Sequence, residues 1–460
     1  MTTTSAPAPA RPTPGPTRDY QFPSFERLAL DNGLTIVVAP VSKLPVATVL
    51  AVIDAGAASD PRGSEGVALL TARALAEGTL RSDGAELAER FERLGTALDT
   101  SADWDGATAR ITVTADRLPQ ALGLVAEVIC TPSFAAREVE RLRQERLAEL
   151  LQQQAEPRGL ADDMFGKFVY ASESRYALPD GGVESSVAAL DQDAVRRFYE
   201  ERYSPSSTTL IIAGDTTVDQ ARTMVGSVFG QWAGPIVRPT VVVDRPATLA
   251  RTVHVVGKAD APQSELRVGH VGVPRLHGDY FPIVVMNAIL GGLFSSRINL
   301  NLREAHAYTY GAFSSFDWRR QAGPFTVSTA VRSDVTDAAV REILLEIDRL
   351  RDAGVTDGEL SLATSYLDGV FPIRFESTTA ITSALASIVS YGLPDDYFDT
   401  YRSKIRGVTG DHVIEAARTY LHPDELQIVA VGDAAVVRSP LEALGVGPVM
   451  VYDAEGRAAP

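Results

Sequence analysis

Cysteine occurs once in 460 residues, which excludes a disulfide framework and any thiolate metal cluster built within the chain. That residue, Cys130, ends the apolar helical run LGLVAEVIC, where a buried, inert thiol is expected because free cysteine packs as a small hydrophobe. Histidine is also scarce. His254, His270, His277, His306, His412 and His422 are the full set, all in the second half, and none stands four residues from another as a helical zinc pair would. His270 and His277 flank a Pro-containing turn and read as structural or surface residues. Positive charge is in deficit, with 43 Lys and Arg against 59 Asp and Glu and a net charge of -16. Nucleic acid and anionic membranes are thereby disfavoured as partners, whereas basic partners or peptides are favoured. No uninterrupted apolar run has the length of a bilayer span, and MTTTSAPAPARPTPGPTRDY at the start lacks the apolar core of a secretory signal. A soluble, cytoplasmic protein is expected.

What is present is ordinary globular material, 45% apolar and 22% charged, at a length that calls for roughly two to four domains. Residues 1–19, rich in Pro, Ala and Thr, read as a disordered tail. ERLALDNGLTIVVAP then places Asp31-Asn32-Gly33 as a tight turn between two strands, and PVATVLAVIDAGA continues as a buried strand. Helical spacing follows in GVALLTARALAEGT, GAELAERFERLG, RLPQALGLVAEVIC and AAREVERLRQERLAELLQQQ, with the strand ATARITVTAD among them. Strands and helices in this order predict a mixed domain with helices packed on a sheet.

The pattern repeats. Asp116, Asp193, Val195, Pro205, Gly214 and Asp215 recur as Asp334, Asp411, Val413, Pro423, Gly432 and Asp433, each 218 residues on. Six coincidences in register, with matching helix and strand patterns, predict two copies of one domain. The copies fall at 20–232 and 251–445, with a proline-flanked linker over 233–250 and a tail over 446–460.

One stretch of the second copy combines groups suited to chemistry. In GGLFSSRINLNLREAHAYTYGA, from Gly291 to Ala312, the glycines and serines predict a loop, Arg297 to Ala305 a short helix, and Tyr308 to Ala312 the start of a strand. Arg303 would leave the helix and Tyr310 would enter the sheet beside it. A guanidinium and a phenol so placed are both strong donors for a carbonyl or an oxyanion. The plainer alternative is a surface arginine and a half-buried tyrosine.

The order DNGLTIVVAP, GVALLTARALAEGT, a long Glu-rich helix and SSRINLNLREAHAYTYGAF resembles the pitrilysin or insulinase (M16-type) superfamily of zinc peptidases. The two-domain bacterial type related to mitochondrial processing peptidase is most similar, from about Phe25 to Asp433. The resemblance implies an α+β fold of two homologous domains, each a mainly antiparallel sheet packed by helices. Catalytic members carry HxxEH in a frame G-x-A-H-x-x-E-H, which here reads G-V-A-L-L-T-A-R from Gly66 to Arg73. Leu69 and Arg73 stand at the positions of the zinc histidines and Ala72 at that of the glutamate base. Glu149 matches the third ligand, but one carboxylate cannot hold zinc usefully, so it reads as a solvated helix glutamate. The family's second signature, an arginine and a tyrosine seven residues apart that reach the substrate, is kept as Arg303 and Tyr310. The departure is Ala307-Tyr308-Thr309 in place of a small Gly-Leu-Ala stretch.

Loss of every metal-binding group beside retention of the substrate clamp points to divided labour. The resemblance implies a zinc-free subunit of a heterodimeric peptidase, binding no cofactor itself and facing a partner that carries HxxEH and the zinc. Arg303 and Tyr310 would bind the scissile carbonyl, with Gly291, Gly292 and Ser296 alongside the peptide. The alternatives are an inactive peptide-binding or scaffold subunit of the same fold and, with no residue constellation in its favour, an independent hydrolase.

Overall fold

The computed structural model describes residues 19–459. The tail expected over 1–19 lies outside the described residues except for Asp19. The first sheet comprises β1 (Glu26–Ala29), β2 (Thr35–Pro40), β3 (Val46–Ile53), β4 (Asp99–Ala102), β5 (Ala107–Thr114) and β6 (Thr208–Gly214), in the order β1-β2-β6-β3-β5-β4. The second comprises β7 (Thr252–Gly257), β8 (Gln263–Val271), β9 (Ala312–Phe316), β10 (Pro324–Arg332), β11 (Gln427–Gly432) and β12 (Val449–Tyr452), in the order β12-β7-β11-β8-β10-β9. The internal repeat maps β2, β6, β3, β5 and β4 onto β7, β11, β8, β10 and β9. Pairing is antiparallel except for β2 with β6, β7 with β11 and β7 with β12.

The two copies diverge at one edge. In the first sheet the outermost strand β1 precedes β2 and pairs with it antiparallel through the Asp31-Asn32-Gly33 turn. In the second that place is taken by β12, which arrives from the far end of the chain and runs parallel to β7. The segment 446–460, expected as a tail, is therefore partly sheet. Its apolar alternation was too short to separate from a tail by pattern alone. The strand β4 also has no clear signal, since DTSA is a short, polar edge strand.

Each sheet has a core of its own, yet the halves exchange a helix. Helix Pro157–Val169 of the first half packs on β8 and β11 of the second sheet, while helix Thr378–Tyr391 of the second half packs on β3 and β6 of the first. Gly269 on β8 admits the first of these, because a Cβ there would lie 2.9 Å from the Phe165 ring. On the other side Thr48 and Thr378 share a hydroxyl hydrogen bond of 2.8 Å. Tyr20 and Phe22, ahead of β1, likewise stack among Phe371, Phe375 and Phe398 of the second half. Helix Tyr280–Asn287 opens an apolar stretch to Ala305 with the length and hydropathy of a membrane span, but half its most apolar window is buried in this core. Cys130 is half-buried, and burial pushes its thiol up to about 12.

Candidate functional site

The first half holds the frame in which family catalysts carry their metal. Helix Val67–Ala74 is pinned at its start by Asp60, whose buried carboxylate accepts from the backbone N–H groups of Gly66 (2.7 Å) and Ala68 (2.9 Å) and pairs with Arg175 at 2.8 Å. Burial outweighs these partners and pushes the Asp60 carboxyl up to about 6. Ala72 is fully buried in the first core, and Leu69 is half-buried beside it. Arg73 reaches the long helix Ala136–Ala155, where its Nη1 donates to Glu149 at 2.8 Å. Arg146 donates to the same carboxylate at 3.0 Å.

Glu149 is exposed on its helix, and it is also held by two guanidinium groups that the sequence does not announce. Burial alone would raise its carboxyl, but the hydrogen bonds from Arg73 and Arg146 prevail and hold it below the usual glutamate range. A guanidinium sits where a metal would need a neutral imidazole, and its charge would repel the ion. Leu69 and Ala72 offer no donor atom. The residues present do not fit a zinc ion, and among the described residues no three His, Cys, Asp or Glu side chains converge as a metal site.

The second half differs in kind. Residues 288–292 close helix Tyr280–Asn287 as a π-helical turn, and a second π-helical run, Leu300–Ala305, follows the short turn Arg297–Asn299. Such irregular turns widen the backbone spiral and gather at functional sites. Arg297 anchors the segment with two hydrogen bonds to Glu359 (2.6 and 2.9 Å), which hold that carboxyl down at about 2. Asn301 bonds Glu346 at 2.7 Å. Asn299, fully buried, ties the two flanking loops together by donating to the Phe294 carbonyl (2.6 Å) and accepting from the Ala312 N–H (3.1 Å).

On this frame Arg303 lays its guanidinium over the Phe294 ring, 4.5 Å from the centroid, with Glu304 3.5 Å from its Nε as the nearest counter-charge. Stacking of this kind fixes the guanidinium plane while leaving its edge donors open. Tyr310 does not enter the sheet as predicted. The strand β9 begins at Ala312, and Tyr310 stands in the preceding bend with 93% of its surface exposed. The reason is local. Ala307 adopts φ 52°, ending the helix through hydrogen bonds of Ala307 N–H to Arg303 O (3.2 Å) and Tyr308 N–H to Leu302 O (2.8 Å). The Thr309 hydroxyl then bonds the Gly311 backbone, and the Thr329 hydroxyl donates to it at 3.1 Å. The chain is committed to a tight turn before it can pair.

Of the three residues expected beside a peptide, Gly291 and Ser296 are buried and Gly292 is exposed. Gly291 is buried inside a helical turn rather than in a loop. A Cβ there would lie 2.4 Å from the Ser314 hydroxyl and 2.6 Å from its backbone nitrogen, so its role is close packing on β9. Gly292 ends the same turn and is exposed. Ser296 is 2% exposed and precedes Arg297 at the helix start, so its side chain is not offered to solvent. Phe294, which the sequence reading passed over, supports Arg303 directly.

Comparison with known proteins agrees with the architecture. Residues 36–175 match the insulinase family, peptidase family M16, and residues 189–367 match the peptidase M16 inactive domain. The chain is 23% identical over 410 residues to an uncharacterized zinc protease of Streptomyces coelicolor, covering 88% of each chain. It is 21% identical to a probable mitochondrial-processing peptidase subunit beta of Arabidopsis thaliana, covering 89% of this chain and 78% of that one. The solved peptidase M16 inactive domain from Pseudomonas fluorescens superposes with a TM-score of 0.83 at 25% identity, over 89% of this chain and 98% of that one. With both of its halves matched in this way, the chain belongs to the insulinase family of peptidases, M16, within the pitrilysin superfamily.

Proposed function

We propose that this chain is the metal-free subunit of a two-chain peptidase, lending Arg303 and Tyr310 to a partner chain that carries HxxEH and the zinc. The observation that carries this reading is the state of the two donors. Tyr310 is almost wholly exposed, and Arg303 makes no hydrogen bond to another side chain or to backbone among the described residues, only the stack on Phe294 and the approach to Glu304. Both project from a segment that Arg297, Asn299 and Asn301 hold rigidly. Held donors with nothing to bind inside their own chain suit a group that arrives from outside.

The expected ligand is the scissile peptide carbonyl. As negative charge develops on its oxygen, the guanidinium edge and the phenolic hydroxyl donate to it, and because the side chains are already positioned little reorganisation is needed. The partner supplies the metal chemistry. The kinship to a chain named as a subunit of mitochondrial-processing peptidase supports a multi-chain arrangement, and the Arg73–Glu149 pair supports the view that metal must come from elsewhere.

The test is to purify the chain alone and with an HxxEH-bearing M16 chain from the same source, and to assay both on a mixed peptide pool. Activity should appear only in the mixture. Full activity of the partner by itself would reject the proposal in favour of a binding or scaffold role.

A further inference from the structure

A groove on the helices of the first half runs against the charge of the chain. Helix Gly84–Glu92 and helix Leu118–Cys130 are joined by Arg90, which donates to Glu127 through Nη1 (2.9 Å) and Nη2 (2.8 Å) and to the Ser82 hydroxyl at 2.7 Å. Beside this pair opens a groove of about 520 Å³. Its lining gathers four arginines: Arg81 from the loop before the first helix, Arg90 from that helix, Arg93 from its end and Arg117 from the start of the second. Leu94 and Leu124 line it as well, and Glu127 is the one carboxylate among the lining residues.

Glu127 is not free to cancel this charge. It is buried, and it accepts from Thr79 Oγ1 at 2.5 Å as well as from Arg90. Hydrogen bonds from Arg90 and Thr79 prevail over burial and hold its carboxyl below the usual glutamate range, with the charge of Arg81 adding to them. Three exposed guanidiniums remain. Arg81 makes no side-chain hydrogen bond or ion pair among the described residues. Arg93 meets Glu89 at 2.5 Å and Arg117 lies 3.4 Å from Asp116, but in both pairs the two side chains stand well out in water. Such exposed pairs hold weakly, so an incoming anion can take either guanidinium in exchange.

We propose that this groove docks a short acidic segment of another polypeptide, with its carboxylates on Arg81 and Arg117 and an apolar side chain against Leu94 and Leu124. Charge complementarity selects the sign, and the planar guanidinium fork matches a carboxylate with two N–H bonds. The balance of the whole chain, 43 Lys and Arg against 59 Asp and Glu, selects the length. An extended polyanion such as nucleic acid would run out of the groove onto a repelling surface, whereas a few residues stay over the arginines. The leucines favour a peptide over a bare phosphate, which has nothing to place on them. The groove lies on the first half, apart from Arg303 and Tyr310, and does not depend on the two-chain reading.

The test is fluorescence anisotropy of the full chain with a labelled peptide alternating glutamate and leucine, beside the same pattern built with glutamine or with lysine. Only the glutamate peptide should bind, and raising the salt from about 50 to about 500 mM should weaken it as the charges are screened. Arg81→Ala and Arg117→Ala should each weaken binding roughly 2–5-fold, the range for one exposed ion pair. Arg81→Glu combined with Arg117→Glu should weaken it on the order of 100-fold through like-charge repulsion. These side chains hold nothing within the chain beyond the approach of Arg117 to Asp116, so each variant should melt with the parent and lost binding is not lost folding. Arg341→Ala, an exposed arginine of the second half, should bind as the parent does. The proposal is overturned if the glutamate peptide fails to bind at up to about 1 mM, if the glutamine peptide binds as tightly, or if the charge-reversed pair keeps the parent affinity. Saturable binding of inorganic pyrophosphate that the glutamate peptide cannot displace would also overturn it, marking the groove as a site for small phosphates.

Discussion

The frame around Leu69, Ala72 and Arg73 and the segment around Arg303 and Tyr310 are both near helices that pack on a sheet, and they have met opposite fates. In the first half the charged groups around Leu69, Ala72 and Arg73 pair within the chain, Asp60 with the helix start and Arg73 with Glu149 at the exposed face. In the second half Arg297 and Asn299 are tied into the chain, while Tyr310 stands exposed and Arg303 has only its stack on Phe294 and the approach to Glu304. The charged side chains of the first region face inward to one another, whereas those of the second are turned outward. Neither pattern requires a partner to be seen.

The sharpest way to break this contrast is to mutate both regions in the two-chain assay. Arg303→Ala or Tyr310→Phe should lower turnover by ~10²–10³, the usual cost of removing one preorganised donor. Glu149→Gln and Arg73→Met should leave turnover unchanged and shift stability by no more than about 1 kcal/mol, since their pair is partly exposed to water. Equal effects in the two regions would erase the distinction.

The halves should also differ in their response to acid, because every histidine lies in the second. Burial, with the charge of His422 nearby, lowers His270 from its ordinary value to about 4, and its Nε2 accepts from the His422 N–H at 3.2 Å. A base held neutral in the native state leaves the extra proton to the unfolded chain. Its stabilising contribution is full above about pH 6.5 and is lost as pH falls toward 4, by about 3 kcal/mol. Urea melts of the parent and of His270→Gln across that window should diverge by this amount; parallel curves would show that His270 titrates normally.

Packing offers a finer test. Gly291→Ala drives a methyl group into the Ser314 backbone and should cost about 1–3 kcal/mol in a denaturant melt, as overpacking does. If the variant loses nothing, the helix is not seated on β9 as described. The smallest effect is expected at Ala307, which holds φ 52° with a side chain attached. Ala307→Gly should stabilise the fold by about 0.5–1 kcal/mol, because glycine adopts that backbone without steric cost. It should leave turnover intact if the hydrogen bonds of Thr309, rather than Ala307, position Tyr310.

Much of the fold could be read directly. The apolar run of PVATVLAVIDAGA, the alternation in ATARITVTAD, the Asn-Gly turn and the register of 218 residues all rest on local chemistry. So does the departure from HxxEH, because leucine, alanine and arginine stand in its frame and none of them is a zinc ligand. What could not be read were relations across the chain. Arg73 and Glu149 are 76 residues apart, and nothing in either neighbourhood announces the other. Gly291 resembles a loop glycine until Ser314 is seen against it. Helix Pro157–Val169 carries no sign that it will cover the opposite sheet, since its apolar face would suit either.

The sequence by itself determined that there are two like domains, that Leu69, Ala72 and Arg73 fill the frame of the family's HxxEH motif and that Arg303 and Tyr310 stand seven residues apart, because residue type and spacing decide those matters. Only the tertiary structure decided that Glu149 is tied to Arg73 and that Tyr310 stands outside the sheet. Whether a polar group is satisfied depends on which distant residues folding brings to it, and no local pattern records that.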